Sequence, residues 1–312
     1  MSCARTAAIG GLAAGLLALC ASCASPGPQP AGPAGDRLVL QASSAARLAY
    51  EQGNYAQART LYRRALTRAQ VIDAVEQAAD AAYNLAMSEI GLQHYDAADQ
   101  LLAQAEYDAA RVSAAITDIR LLRAKVAYLR ERLPAAIALA NEVIASKAPP
   151  RLVLQARILR GQVFCDTGDL AAAMAESQTI KELVGSAKTA FAPSMHADMA
   201  KLEGTIARLE GKPEVAARWF EAEAELLRVA HRHRDMAYAL ARAAEMHLQS
   251  ARPALAADRF FLAARSLTGQ GDLAAGKAFV ASSQTAAETA GDEAALGRAR
   301  LLLEEINRRG VP

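Results

Sequence analysis

The sequence predicts an all-α solenoid of about seven helical hairpins stacked in series. Three observations lead there. Hydrophobic residues make up 53% of the 312 residues and aromatics only 5%. Alanine, the best helix former and one that lets helices pack closely, supplies much of the difference. Glycine and proline fall between helix-length segments and do not punctuate alternating β-branched runs, so no strand is expected. A helix-breaking position recurs at Gly53, Gln93, Glu131, Gly168, Gly211, Ala251 and Gly291, spaced 37 to 43 residues apart.

The chain begins with a targeting pattern, read as residues 1–22. Arg5 is the only charged side chain before Asp36, and Ala7 to Leu19 is an apolar run of 13 residues. That run is too short to span a bilayer comfortably and suits a signal-peptide core; an uncleaved anchor or buried helix is the alternative. It ends in Leu19-Cys20-Ala21-Ser22-Cys23-Ala24, which resembles the lipobox of bacterial lipoproteins, in which a cysteine after two small residues is acylated and becomes the new N-terminus. Cys23 fits at Ala21 and Ser22 and departs where Cys20 replaces the usual leucine; Leu19 is bulky where acylation of Cys20 would require a small residue. Ordinary cleavage near Ser22 with release into the periplasm is the other reading. Ala24 lacks the aspartate that retains some bacterial lipoproteins in the inner membrane, so the resemblance implies the outer membrane. Residues 23–36, rich in proline and glycine, form a tether without a core to join. Asp36 is placed to cap the first helix.

Residues 37–309 are the repeating body. In its clearest copy, Gly53 ends one helix, and Asn54 can accept hydrogen bonds from the free N–H groups that open the next. Tyr55, Ala58, Leu61, Tyr62 and Ala65 then fall three or four apart on one face. In the same register the small residue recurs as Ala98, Ala136, Ala173, Ala216 and Ala256, with Leu296 the exception, and the core position recurs as Leu102, Ala140, Ser177, Phe220 and Phe260. Pro134, Pro213 and Pro253 open second helices, where a missing N–H costs nothing, while Asp169 and Asp292 stand in the place of Asn54 as caps. The links Ser146-Lys147-Ala148-Pro149-Pro150 and Val184 to Pro193 interrupt the helices, the second being the longest and a place for a bend. Residues 294–309 read as a capping helix. Ala295, Leu296, Ala299, Leu302, Leu303 and Ile306 form one stripe, and Glu304–Arg308 and Glu305–Arg309 are i,i+4 pairs on the wet side.

These units resemble tetratricopeptide repeats (TPR). The resemblance rests on Gly53-Asn54-Tyr55…Ala58…Tyr62…Ala65-Leu66, on Tyr83-Asn84-Leu85-Ala86…Tyr95…Ala98…Leu102…Ala105, and on Gly161…Phe164…Gly168-Asp169-Leu170…Ala173. It implies a right-handed α-α superhelix, with a period of about 40 residues in place of the usual 34; HEAT-like stacking is the minor alternative. In the family, the first helix of each hairpin lines a concave groove for an extended peptide or a partner helix. Carried over position by position, the groove residues are Tyr83, Asn84 and Met87 in the second unit and Lys125 and Tyr128 in the third. Gln162 follows in the fourth, Lys201 and Arg208 in the fifth, and Arg242 and Glu245 in the sixth. Asn84 and Lys201 match types that clamp a C-terminal carboxylate in some members, but no two adjacent units carry the full set. Each residue alone could also be a solvated helix face.

No pattern for catalysis stands out. Cys165 remains alone once the N-terminal cysteines leave or are acylated, and nothing nearby would lower its pKa. His231-Arg232-His233 is an i,i+2 pair whose side chains diverge if helical, flanked by Arg232 and Arg234, which disfavours a metal. There is no His-Glu-x-x-His, phosphate loop or nucleophile elbow. Carboxylates read as scattered over helix surfaces. With Arg5 gone, 34 Lys+Arg face 33 Asp+Glu, which gives no long-range attraction to nucleic acid. The expectation is therefore a non-catalytic scaffold without a cofactor. It is lipid-anchored to the outer membrane, faces the periplasm and binds another envelope protein or peptide in a secretion, pilus or cell-wall assembly. The alternative is a soluble periplasmic protein that binds a small ligand or lipid.

Overall fold

The structure, a computed structural model, describes residues 35–112, 116–187 and 190–310. The expected signal segment, Cys23 and nearly all of the tether lie outside the described residues. Among the described residues the secondary structure is helical throughout, and fourteen helices form seven consecutive antiparallel pairs. They are α1 (Arg37–Glu51) with α2 (Tyr55–Val71), α3 (Val75–Gly91) with α4 (Tyr95–Arg111), α5 (Thr117–Leu129) with α6 (Leu133–Ala145), and α7 (Pro150–Asp166) with α8 (Leu170–Ser186). Then follow α9 (Pro193–Leu209) with α10 (Pro213–Val229), α11 (His233–Gln249) with α12 (Pro253–Gly269), and α13 (Leu273–Ala290) with α14 (Glu293–Arg309). Each helix packs mainly on its sequence neighbours, and first helices also meet across units, α5 on α7 and α7 on α9. The result is an all-α solenoid in which one hairpin covers the apolar face of the next.

The seven turn positions read from the sequence all adopt left-handed backbone, with φ from 55° at Ala251 to 76° at Gly168. Each turn closes with the same long-range bond: the amide after the left-handed residue donates to the carbonyl five positions back, as in Asn54 to Ala49 at 2.9 Å, His94 to Glu89 at 2.8 Å and Arg252 to His247 at 2.8 Å. This satisfies the orphan carbonyls at the helix end. Gln93, Glu131 and Ala251 are forced into the geometry by their neighbours, since L-residues disfavour it.

Asp36, Asn54, Asp169 and Asp292 cap as expected. Asn54 accepts from the Gln57 amide at 3.2 Å and Asp292 from the Ala295 amide at 2.9 Å. Asp272 caps α13 in the same way, accepting from Ala275 at 3.2 Å.

The core follows the predicted register. Ala58, Ala98, Ala136, Ala173, Ala216 and Ala256 are fully buried, as are Leu102 and Ala140, while Tyr62, Ser177, Phe220 and Phe260 are nearly so. In α14 the expected stripe is the buried one, at Ala295, Leu296, Ala299, Leu302 and Ile306 with Leu303 half-buried, while Arg300, four residues after Leu296 as Tyr62 is after Ala58, is exposed. Of the two expected ion pairs on α14, Arg309 and Glu305 meet at 2.5 Å; no Glu304–Arg308 pair forms. Small residues set the close approaches. A Cβ on Gly161 would lie 2.8 Å from the Leu202 side chain, so this glycine lets α9 draw in against α7. Cys165 is buried, and burial pushes its thiol up to about 11.

Two sequence expectations are corrected. His231 is not helical: it sits at φ 57° in the turn before α11. That turn brings the His231 and His233 rings edge to face at 6.0 Å, where a helix would have splayed them. The carboxylates are not all superficial either. Glu89, Asp108, Glu176 and Glu223 are buried, and arginines from neighbouring helices reach three of them: Arg63 to Glu89 at 3.1 Å, Arg157 to Glu176 at 2.9 Å and Arg242 to Glu223 at 2.6 Å. A buried carboxylate is tolerated when such charge-assisted bonds replace its hydration.

Candidate functional site

Three successive first helices, α5, α7 and α9, converge on one cleft of about 350 Å³. α5 supplies Lys125 and Tyr128, α7 supplies Gln155 and Gln162 over a floor of Ile158 and Leu159, and α9 supplies Lys201. Helical spacing explains the grouping. Residues 125 and 128 are three apart, and 155, 158, 159 and 162 recur at helical intervals, so each set faces one way. Four of the ten groove residues expected from the sequence, Lys125, Tyr128, Gln162 and Lys201, are therefore brought together. Asp198 and Arg232 join them.

The electrostatics are uneven. Burial pushes the Lys125 ammonium below its ordinary value, Asp198 opposing the effect. Burial likewise raises the Asp198 carboxyl, against Arg232, Lys125 and Lys201, which favour its charged form. Arg232 is engaged, 3.8 Å from Asp198 and 2.8 Å from Asp235. Tyr128 donates to Asp166 at 2.7 Å, and burial together with this bond pushes its hydroxyl well above the usual phenol range. Lys125 and Lys201 have no ion-pair partner among the described residues.

The other six expected residues lie apart from this cleft. Tyr83 lines a separate cavity beside Asp80 and Arg151. Asn84 donates to the carbonyl of Asp80 in its own helix at 2.8 Å, and Met87 packs against the core. Arg242 binds Glu223 and lies over the Phe220 ring, 5.5 Å from its centroid. Arg208 and Glu245 are exposed. Sequence reasoning missed Gln155, Asp198 and Arg232. The i,i+7 repeat of Gln155 and Gln162 was a usable signal, whereas Arg232 enters only because the turn before α11 aims it back. Among the described residues no group of acids, histidines and cysteines is placed to hold a metal, and no helix is long and apolar enough to cross a membrane.

No protein-family model matches the chain, and no curated protein matches it either. Solved structures do. A signal-transduction ATPase with a tetratricopeptide-repeat sensor from Pyrococcus horikoshii superposes with TM-score 0.61 at 14% identity, covering 86% of this chain. The fold is that of tetratricopeptide-repeat proteins. This chain spans only 42% of that ATPase's length. The Rap conjugation regulator of plasmid pLS20, solved with the Phr* peptide, gives TM-score 0.59 at 15% identity over 86% of this chain and 74% of its own. PilW, a type IV pilus biogenesis factor, gives 0.53 at 15% identity over 72% of this chain and 92% of its own.

Proposed function

We propose that this TPR-fold chain is a non-catalytic scaffold that holds an extended segment of a protein partner in the α5–α7–α9 cleft. The observation that carries the reading is the convergence of Lys125, Tyr128, Gln162 and Lys201, from three successive units, on one cavity. Glutamine amides suit a peptide backbone, an apolar floor suits its side chains, and lysines suit its carboxylates. The pLS20 regulator, solved with a peptide, supports the mode. PilW, named for pilus biogenesis, supports a pilus or related secretion or cell-wall assembly as the setting; the lipid anchor at Cys23 in the outer membrane, facing the periplasm, is supported by the lipobox-like residues alone.

A photocrosslinker placed at Gln162 should trap a discrete protein in intact cells, and one at the exposed Arg218 on α10 should not. Equal trapping at both sites, or none at 162, would sink the scaffold. Fatty-acid labelling of wild type and Cys23→Ala tests the anchor; label retained by the variant removes it. A second reading, a soluble periplasmic carrier of a small apolar ligand or lipid, is favoured by a cavity of about 440 Å³ walled by Met236, Leu240 and Leu262 between α10, α11 and α12. It predicts ligand co-purified with protein that labelling leaves unacylated.

A further inference from the structure

A second cavity of about 390 Å³ lies among α3, the end of α4 and the first turns of α5 and α7, lined by Glu76, Asp80, Tyr83 and Ile119 together with Asp118 and Arg151. The same faces of α5 and α7 run on into the cleft: Asp118 and Lys125 are two turns apart, as are Arg151 and Ile158.

Along this path the charge reverses. The α3 cavity holds three carboxylates and one cation, while the α5–α7–α9 cleft holds three cations and one carboxylate. Asp118 and Arg151 neutralise each other at 3.2 Å, and Arg232 is held by Asp198 and Asp235. That leaves Glu76 and Asp80 at one end and Lys125 and Lys201 at the other. None of the four has a side-chain ion pair or hydrogen bond among the described residues. Burial, then Glu76, raises the Asp80 carboxyl, and burial depresses the Lys125 ammonium. The cleft end therefore holds half-buried cations and the α3 end exposed carboxylates, each without a partner among those residues and each gaining from an opposite charge.

We infer that the path from α3 to α9 is electrically polar, and that its occupant is an extended peptide with segregated charge, basic beside Glu76 and Asp80 and acidic beside Lys125 and Lys201. The inference rests on the scaffold reading and adds a charge pattern and a length to it. α5, α7 and α9 pack in succession and α3 lies beyond α5, so at ~8–10 Å per step the ends stand at least roughly 24–30 Å apart. At ~3.3 Å per residue that is at least about seven to nine extended residues.

The test uses end-blocked peptides of about ten residues as probes. One carries two lysines at one end and two glutamates at the other; a second has the same composition with lysine and glutamate alternating; a third carries glutamates alone. Binding to the signal-free chain is read by fluorescence anisotropy at low ionic strength. The segregated peptide should bind about tenfold more tightly than the alternating one, and the contrast should fade as salt rises. Glu76→Gln with Asp80→Asn should abolish the advantage conferred by the lysine end, and Lys125→Gln with Lys201→Gln that of the glutamate end. Equal binding of segregated and alternating peptides overturns the inference without any variant having to fold. So does an all-glutamate peptide that binds as tightly and ignores the α3 substitutions. A crosslink from Gln162 that persists in either of those cases leaves the scaffold reading standing; loss of the crosslink and of all peptide binding removes both.

Discussion

Gly204→Ala is the sharpest test of how the hairpins are held together. Gly204 lies in α9 against the ring of Phe220 in α10, and a Cβ there would sit 2.7 Å from one ring carbon and 2.8 Å from the next. The ring cannot retreat: Phe220 is 1% exposed, and the Arg242 guanidinium covers it. Overpacking of this kind costs ~1–3 kcal/mol, and with the ring boxed in, the upper half of that range applies. Replacing a mid-helix glycine with alanine returns about 1 kcal/mol of helix propensity. The net effect should be a loss of about 1–2 kcal/mol. Gly297→Ala in α14 is the control, since nothing lies within 4 Å of its Cβ position; only the propensity remains, and it should gain about 1 kcal/mol. Urea unfolding followed by far-ultraviolet circular dichroism measures both. Hydrogen exchange on α9 and α10 localises the first, because a solenoid need not unfold in one step. In a Phe220→Leu background the Gly204→Ala penalty should largely vanish. The reasoning is refuted if the two alanine variants shift stability in the same direction, or if the penalty survives removal of the ring.

Three further outcomes follow from the same geometry. Ala251→Gly should stabilise by about 1 kcal/mol, since Ala251 holds φ 55° without a glycine's freedom; a lower urea midpoint would contradict this. Glu176→Leu should cost roughly 3 kcal/mol, because the nearly buried carboxylate binds both Arg157 and Arg160 and its loss strands two guanidinium groups; a neutral result in the same assay would show them satisfied by water. Burial alone would raise the Glu106 carboxyl, but hydrogen bonds from Arg120 and Arg123 outweigh it and hold the group below its ordinary value. A depressed carboxylate contributes stability above its unfolded pKa and loses it as pH falls through the folded one. The advantage of wild type over Glu106→Gln should therefore be full near neutrality and shrink below about pH 4.3; an advantage unchanged at pH 3 would refute the pairing.

The architecture was legible because a solenoid repeats its register. Gln93, Glu131 and Ala251 carry no residue-type signal for a left-handed turn, yet spacing alone located them. The equivalent turns between hairpins, at Asp73, His231 and Gly271, went unread, and the expected divergence of His231 and His233 held only for a helix, which the turn at His231 is not. The buried arginine–carboxylate pairs were illegible for a different reason. Arg63 reaches Glu89 and Arg242 reaches Glu223 across helices whose relative rotation no local spacing encodes. At the cleft, Lys125 and Lys201 follow from position within a unit, whereas the engagement of Arg232 by Asp198 depends on how two units meet.

The joints between hairpins come in two kinds. Those before α3, α11 and α13 close with the same five-residue backbone bond as the turns inside each hairpin, Ala74 to Ala69, Arg232 to Leu227 and Asp272 to Leu267. Among the described residues no such bond appears in the links before α5, α7 and α9, and α6 and α8 run out into extended backbone at Ser146 and Ala187. Those three helices are the ones that wall the cleft. Among the described residues the cleft walls therefore meet through side-chain packing, whereas the joints before α3, α11 and α13 are also latched by the main chain.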